Sequence, residues 1–300
     1  MIGNYLIVIA GLLGLVFGSF LNTCASRWPE KESSVKPRSH CRSCGRTLAW
    51  WENIPLLSWL ALRGRCRTCK SRIGWRYPLV ELAVGVFWAF CTWQIFSQAP
   101  ALDHGVFSFS NSVVLANGIA CMIFLWLLVA LAVLDAENLW LPARLTISGI
   151  CLGLLLAITQ AALVDVFQYH GSFSAMQSLA ARSIAFWFLG AVISAGVILV
   201  IRFVYHWFRG QEGIGMGDVL LMGMLGGWFG IQRALLSFAI GVVVGAIVAL
   251  LVLAVPSTRA DESPWGLKKL PFGTFLCFGG MVSAFWGIPI VAAYRNWAKF

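Results

Sequence analysis

The chain has 300 residues, 59% of them hydrophobic and only 11% charged, and its formal net charge is +10. So little charge cannot cover the surface of a soluble domain of this size. Apolar runs of about 20 residues recur, each long enough to cross ~30 Å of hydrocarbon, and they are too long and too uniformly apolar for barrel strands. The expected fold class is therefore an all-α polytopic membrane protein with about eight transmembrane helices.

In chain order, the first run covers Ile2 to Leu21. It has no basic segment before it and no small-residue cleavage site after it, so it reads as a retained span. A basic loop, Asn22 to Pro78, follows. The stretch from Arg27 to Arg76 holds twelve Lys/Arg against three Glu, which places the loop in the cytoplasm by the positive-inside rule and offers a surface to anionic lipid. No interleaved aromatic pattern accompanies these charges, so no nucleic-acid partner is expected. Span 2 runs from Leu79 to Phe96, and an outer loop carries Pro100, Asp103 and His104. Span 3, Val113 to Leu134, returns to the cytoplasm at Asp135. Span 4 is Leu145 to Val164, Asp165 to Gln177 form an outer loop, and span 5 is Ser183 to Val204.

A shorter apolar piece, Val219 to Ile231, would extend ~20 Å as a helix, so it is a short span or a re-entrant segment. Leu235 to Val255 and Phe272 to Ala292 complete the set. If the short piece crosses, eighteen of the twenty-two Lys/Arg lie inside, including Arg259, Lys268 and Lys269 of the loop Pro256 to Leu270. A re-entrant segment would move those three outside, so eight spans fit better. No repeat stands out along the chain.

The basic loop carries Cys41-x-x-Cys44 and Cys66-x-x-Cys69. Paired CxxC knuckles at this spacing point to a four-thiolate zinc site, and a loop with little apolar core would draw folding energy from the metal. Gly45 and Gly64 suit tight knuckle turns. Disulfides are disfavoured in a reducing cytoplasm, while redox-active CxxC pairs are the rival reading. The remaining cysteines, Cys24, Cys91, Cys121, Cys151 and Cys277, read as packing residues.

Of the twelve acidic residues, Glu30, Glu32 and Glu52 sit among the basic charges, where ion pairing is their expected role. Asp103 and Asp165 are in outer loops, Asp261 and Glu262 in an inner one, and Glu212 is in a Gly-rich connection. Glu81 follows Arg76 closely, and a salt bridge between them is expected. Asp135 ends one apolar run and Asp218 opens another. An ionisable group at such a boundary is costly and marks function by default. Asp135 and Glu137 diverge on a helix, and Asp135 is nearer the apolar segment. Gly215-Met216-Gly217 before Asp218 permits close backbone approach, or simply a helix entry capped by Asp218. With eight spans both aspartates lie at the cytoplasmic face, as an acid/base pair would require.

These residues resemble a family, the type IV prepilin peptidases of the GxGD aspartyl protease class. The matching segments are Gly18-Ser19-Phe20-Leu21-Asn22, both CxxC pairs, Asn53-Ile54-Pro55-Leu56-Leu57-Ser58 and Arg63-Gly64-Arg65-Cys66. They continue with Arg76-Tyr77-Pro78-Leu79-Val80-Glu81, Leu134-Asp135 with Leu141-Pro142, Gly215-Met216-Gly217-Asp218 with Gly226-Gly227-Trp228, and Pro271-Phe272-Gly273.

The resemblance implies catalytic roles for Asp135 and Asp218, and cleavage of the basic leader from type IV prepilins or type II secretion pseudopilins at the inner face of the bacterial inner membrane. It also implies methylation of the new amine with S-adenosylmethionine, a step for which Gly64 and Arg65 match the family's glycine-plus-base pair. Where the family has Leu-Pro-Asp this chain has Leu141-Pro142-Ala143, and Leu220 stands at the place of a lysine. The expected organisation is a first transmembrane helix (1–21), a cytoplasmic zinc-binding loop domain (22–78) and a membrane-embedded peptidase domain (79–300). The alternatives are a membrane thiol oxidoreductase using the CxxC pairs, or a catalytically impaired assembly protein on the same scaffold.

Overall fold

A computed structural model describes residues 2–98, 109–168, 173–211, 213–254 and 270–298. Pro100, Asp103, His104, Glu212 and the residues of the inner loop from Pro256 to Lys269 lie outside the described residues. The described residues are mostly α-helical, and the basic loop holds a 3-10 turn (Trp50–Asn53) and one short helix. The helices are α1 (Ile2–Arg27), α2 (Leu57–Ala61), α3 (Arg76–Gln98), α4 (Phe109–Asn138), α5 (Ala143–Gln168), α6 (Phe173–Arg209), α7 (Met216–Phe229), α8 (Ile231–Ala254) and α9 (Phe272–Ala298).

Seven of these are long and apolar enough to cross a membrane, and α7, with 14 residues, is shorter. The long helices run past the apolar runs at most of their ends. α1 continues six residues beyond Leu21, and α6 has 37 residues. The backbone keeps pairing with itself outside the hydrocarbon because nothing in the flanking sequence breaks it.

Two compact units divide the chain, Met1–Ala130 and Leu131–Phe300. In the first, α1 and α3 pack along a seam of small residues. A Cβ added at Gly14 would stand 2.8 Å from the Gly85 Cα, and one at Gly18 would stand 2.7 Å from the Glu81 Cα. Lipid tails are as apolar as leucine, so helices in a membrane associate through such close contact. The Trp126 indole donates to the Phe17 carbonyl at 3.1 Å and Trp88 to the Met122 carbonyl at 3.1 Å, tying α4 to α1 and α3.

In the second unit α7 is the central element, in contact with α5, α6, α8 and α9. Its Val219, Leu221, Met222, Met224 and Leu225 are buried. The α6–α7 crossing depends on Gly190 and Gly226. A Cβ at Gly226 would lie 2.1 Å from the Gly190 carbonyl oxygen, and a Cβ at Gly190 would lie 2.3 Å from the Gly226 oxygen. α7 stops at Gly230, whose φ of +78° turns the chain into α8. α8, by contrast, presents Val243, Ile247, Leu250 and Leu251 outward, as a lipid-facing helix does.

The basic loop contains a repeat that sequence reading missed. Cys41-Arg-Ser-Cys44 and Cys66-Arg-Thr-Cys69 each lead to a tryptophan, Trp50 and Trp75. Each knuckle forms the same bonds, Cys41 N to Arg46 O (2.9 Å) and Cys66 N to Ser71 O (2.8 Å), with the bridges His40–Thr47 and Arg65–Arg72 beside them. The turn position after the second cysteine has positive φ in both copies, Gly45 at +70° and Lys70 at +58°. Only the first uses the residue that adopts such angles freely, which is why the repeat is hidden in the sequence.

Candidate active site and four-cysteine cluster

The carboxylates singled out in the sequence are delivered by helix ends in the second unit. Asp135 lies near the end of α4, which closes where the Leu139 amide returns to the Asp135 carbonyl at 2.8 Å with φ of +50° at Leu139. Its side chain is turned inward, with the residue 6% exposed, while Glu137 two positions on is exposed. Asp135 Oδ2 accepts the backbone N–H of Thr274 at 2.7 Å, and the Thr274 hydroxyl lies 3.1 Å from the same oxygen. Thr274 is in the first turn of α9, so a helix N-terminus faces this carboxylate. Exposed N–H groups and the helix dipole both favour an anion there.

Asp218 is built in a parallel way. It occupies the first turn of α7 and accepts the Gly215 N–H at 3.2 Å on Oδ2. It is 8% exposed, and its Oδ1 is buried with no hydrogen-bond partner among the described residues. This oxygen is an acceptor, or a proton carrier, with nothing yet to act on.

A leucine wedge aligns the two acids. A Cβ at Gly217, next to Asp218, would meet Leu141 Cβ at 2.7 Å. A Cβ at Gly273, next to Thr274, would meet Leu141 Cδ1 at 2.6 Å and Asp135 Oδ2 at 3.0 Å. Leu141 thus fits between two glycines, each beside one of the site's helix starts, and any side chain there would push the starts apart. Asp135 and Asp218 come within electrostatic reach of each other, and both act on the fully buried Cys277 one turn along α9. Sequence reading missed Thr274 and the Leu141 wedge. The segments Leu141-Pro142, Gly215-Met216-Gly217 and Pro271-Phe272-Gly273, which carry the resemblance, pointed toward them without saying that they meet.

Glu81, expected to pair with Arg76, has other partners. Its Oε2 accepts the Leu56 N–H at 2.8 Å, and the Ser19 hydroxyl also bonds it. Arg76 donates to Ser26 Oγ at 2.9 Å.

In the first unit the four sulfurs of Cys41, Cys44, Cys66 and Cys69 lie within 4.8 Å of one another. A tetrahedral ion with Zn–S bonds of ~2.3 Å would set its sulfurs ~3.8 Å apart, and Cys41 Sγ and Cys69 Sγ are 3.8 Å apart. All four thiols are free. The backbone N–H of Cys44 and that of Ser43, with the Ser71 hydroxyl, hold the Cys41 thiol down to about 6. The Ser71 hydroxyl likewise lowers Cys69. Against the pull of the Arg46 amide, burial and the Cys41 and Cys69 sulfurs push Cys44 up to about 11. Four sulfurs this close repel one another as thiolates, and a divalent ion removes that repulsion. The cluster is therefore able to coordinate a metal.

Behind the cluster, Glu52 is buried and accepts from Arg46 at 2.6 Å and from the Ala49 N–H at 2.8 Å. Gly64 and Arg65 belong to the base of the second knuckle. Gly64 has φ of +63° and packs on Trp59, and its carbonyl accepts from Ile73 at 2.7 Å. The Arg65 side chain is exposed.

Seven long apolar helices, a pair of buried aspartates each held by a helix start, and a four-cysteine cluster after the first helix together define a class of multi-pass membrane protein. The bacterial peptidase A24 N-terminal domain matches residues 12–95, and the type IV leader peptidase family matches residues 122–250. A prepilin leader peptidase/N-methyltransferase of Stutzerimonas stutzeri is 31% identical over 98% of this chain and 95% of its own length. Proteins of the same description from Burkholderia pseudomallei (32% identical, 94% of this chain, 86% of that one) and Pseudomonas aeruginosa (30% identical, 96% and 93%) are similar along most of their lengths. No solved structure matches significantly. The chain belongs to the type IV leader peptidase family. It is a multi-pass protein of the bacterial inner membrane, since the outer membrane holds closed barrels rather than apolar helices.

Proposed function

We propose that this protein is an aspartic endopeptidase that removes the basic leader from type IV prepilins or type II secretion pseudopilins at the cytoplasmic face, and that it also N-methylates the exposed residue. The observation that carries the reading is that Asp135 and Asp218 lie within electrostatic reach of each other, each buried and each held by a helix start, with Asp218 Oδ1 without a partner among the described residues.

Two carboxylates at one buried site cannot both ionise cheaply, so the pair holds one proton. The ionised member takes a proton from water as the water oxygen adds to the scissile carbonyl carbon. The neutral member gives its proton to the carbonyl oxygen. Collapse of the adduct breaks the C–N bond, and the leaving nitrogen takes up a proton. Leu141 and Thr274 keep the acids in register, and the buried faces of α7 exclude bulk water. The substrate's apolar helix lies in the bilayer, with its leader junction at the inner boundary. Anionic lipid and the site's carboxylates attract the leader, whereas the basic loop repels it.

Methyl transfer requires an unprotonated amine, and an α-amino group titrates near ~8, so little help is needed from the site. S-adenosylmethionine, when bound, would supply the methyl group, and the amine nitrogen that accepts it would give up a proton. Cys41, Cys44, Cys66 and Cys69 would hold a structural zinc ion, which would order the two knuckles. Gly64 and Arg65 then support methylation through the knuckle base on which they sit.

The test is cleavage of a prepilin-like peptide by the protein reconstituted in lipid. The peptide has a basic leader, a Gly–Phe junction and an apolar helix. Cleavage at the junction supports the reading, and an intact peptide in the presence of folded protein rejects it.

A further inference from the structure

A cavity of about 720 Å³ opens in the first unit, where the end of α1 and the start of α3 meet the knuckles. Its size is that of a small-molecule site, ~300–1,000 Å³. Its helical wall includes Ser19, Asn22 and Arg27 of α1 and Tyr77 and Glu81 of α3. Ser19 with Asn22, and Tyr77 with Glu81, have the spacing that puts side chains on one helix face.

Asn22 is 2% exposed, and its Nδ2 donates to the Tyr77 carbonyl at 2.9 Å, which fixes the amide so that Oδ1 is the free atom. That oxygen is buried without a partner among the described residues. Glu81 is 7% exposed, and its carboxylate meets the Leu56 amide and the Ser19 hydroxyl rather than a cation. Among the described residues, a buried acceptor with no donor and a buried carboxylate with no ion-pair partner line one cavity, and each costs free energy that a suitable ligand recovers. A single group that carries N–H donors and a positive charge would satisfy both. A sulfonium has charge but no N–H, so it satisfies only half the requirement.

We infer that this cavity binds a primary α-ammonium, held by Asn22 Oδ1 and the Glu81 carboxylate. The inference rests on the methyl-transfer part of the proposed function, which brings two such groups: the amino-acid end of the methyl donor and the new N-terminus of the cleaved substrate. Arg42 and Arg72 also line the cavity. They give it cations for a carboxylate, which the donor has beside its ammonium and the substrate N-terminus lacks.

The full chain in lipid nanodiscs is titrated with S-adenosylhomocysteine, which keeps the ammonium, and with methylthioadenosine, which lacks the amino-acid end. A peptide beginning with the mature N-terminus is compared with its acetylated form. Charge-assisted hydrogen bonds of this kind make a difference of about tenfold or more. The inference expects that preference for S-adenosylhomocysteine over methylthioadenosine if the donor is the source, or for the free over the acetylated peptide if the substrate is. Glu81→Gln, which keeps an acceptor for the Leu56 amide, should erase the preference while bound zinc stays unchanged. The wild-type preference is readable even if the variant folds poorly. A wild-type protein that methylates co-expressed prepilin yet shows neither preference overturns the cavity assignment alone. One that neither methylates nor binds donor overturns the methyl-transfer reading and the cavity with it.

Discussion

Thr274→Val isolates one oxygen of the proposed active site. The backbone bond from Thr274 N to Asp135 Oδ2 at 2.7 Å survives, and only the hydroxyl at 3.1 Å is removed. The same hydroxyl lies 3.0 Å from the Ala132 carbonyl, and it has a single proton to share between the two oxygens. A hydrogen bond to a charged group contributes ~1.5–3 kcal/mol. With the proton shared, the lower end applies, so kcat should fall about tenfold. Valine matches threonine in shape, and KM should change little because Thr274 positions Asp135 rather than the substrate. Thr274→Ser, which restores the hydroxyl, should recover most of the rate. The assay is steady-state cleavage of a prepilin-like peptide in nanodiscs. A kcat within about twofold of wild type for Thr274→Val, or no recovery with Thr274→Ser, would refute the positioning role.

Gly273→Ala should be worse than Thr274→Val, because its Cβ would stand 2.6 Å from Leu141 and 3.0 Å from Asp135 Oδ2; peptide cleavage compared across the two variants checks this order. Gly226→Ala puts a methyl 2.1 Å from the Gly190 carbonyl oxygen, an overpacking against backbone that costs ~1–3 kcal/mol or more, and should appear as a lower melting temperature in detergent. Cys41→Ser should remove bound zinc, measured by metal analysis of protein purified without chelator. In metal-free wild type the Cys41 thiol is held near 6, below its usual 9.0. Cys41 in the folded loop then binds fewer protons than in the unfolded one between those values, so its contribution to stability is complete above pH 9 and is lost as pH falls through 6. Cys44, pushed up to about 11, contributes with the opposite sign, lost as pH rises from 9 through 11; amide exchange of the loop across that range reads both.

Much of the architecture is legible in the chain because hydrocarbon demands it: apolar runs of spanning length can only be helices. Asp135 and Asp218 are visible for the same reason, as carboxylates where few are tolerated. Contacts between distant segments are not visible. Thr274 matters only because α9 starts beside the end of α4, 139 positions away in the chain, and nothing local to Pro271-Phe272-Gly273 says so. Leu141-Pro142 is part of the resemblance, but nothing in the sequence says that Gly217 and Gly273 close on Leu141. Glu81 misled because Arg76 lies close in sequence, whereas the fold turns Glu81 to the Leu56 amide.

The most direct measurement is mass spectrometry of the N-terminus of a prepilin co-expressed with this protein in cells lacking other such peptidases. Wild type should yield a leaderless, N-methylated chain. Asp135→Asn and Asp218→Asn, each inserted in the membrane at normal levels, should both leave the leader in place. Full processing by either variant would contradict the account.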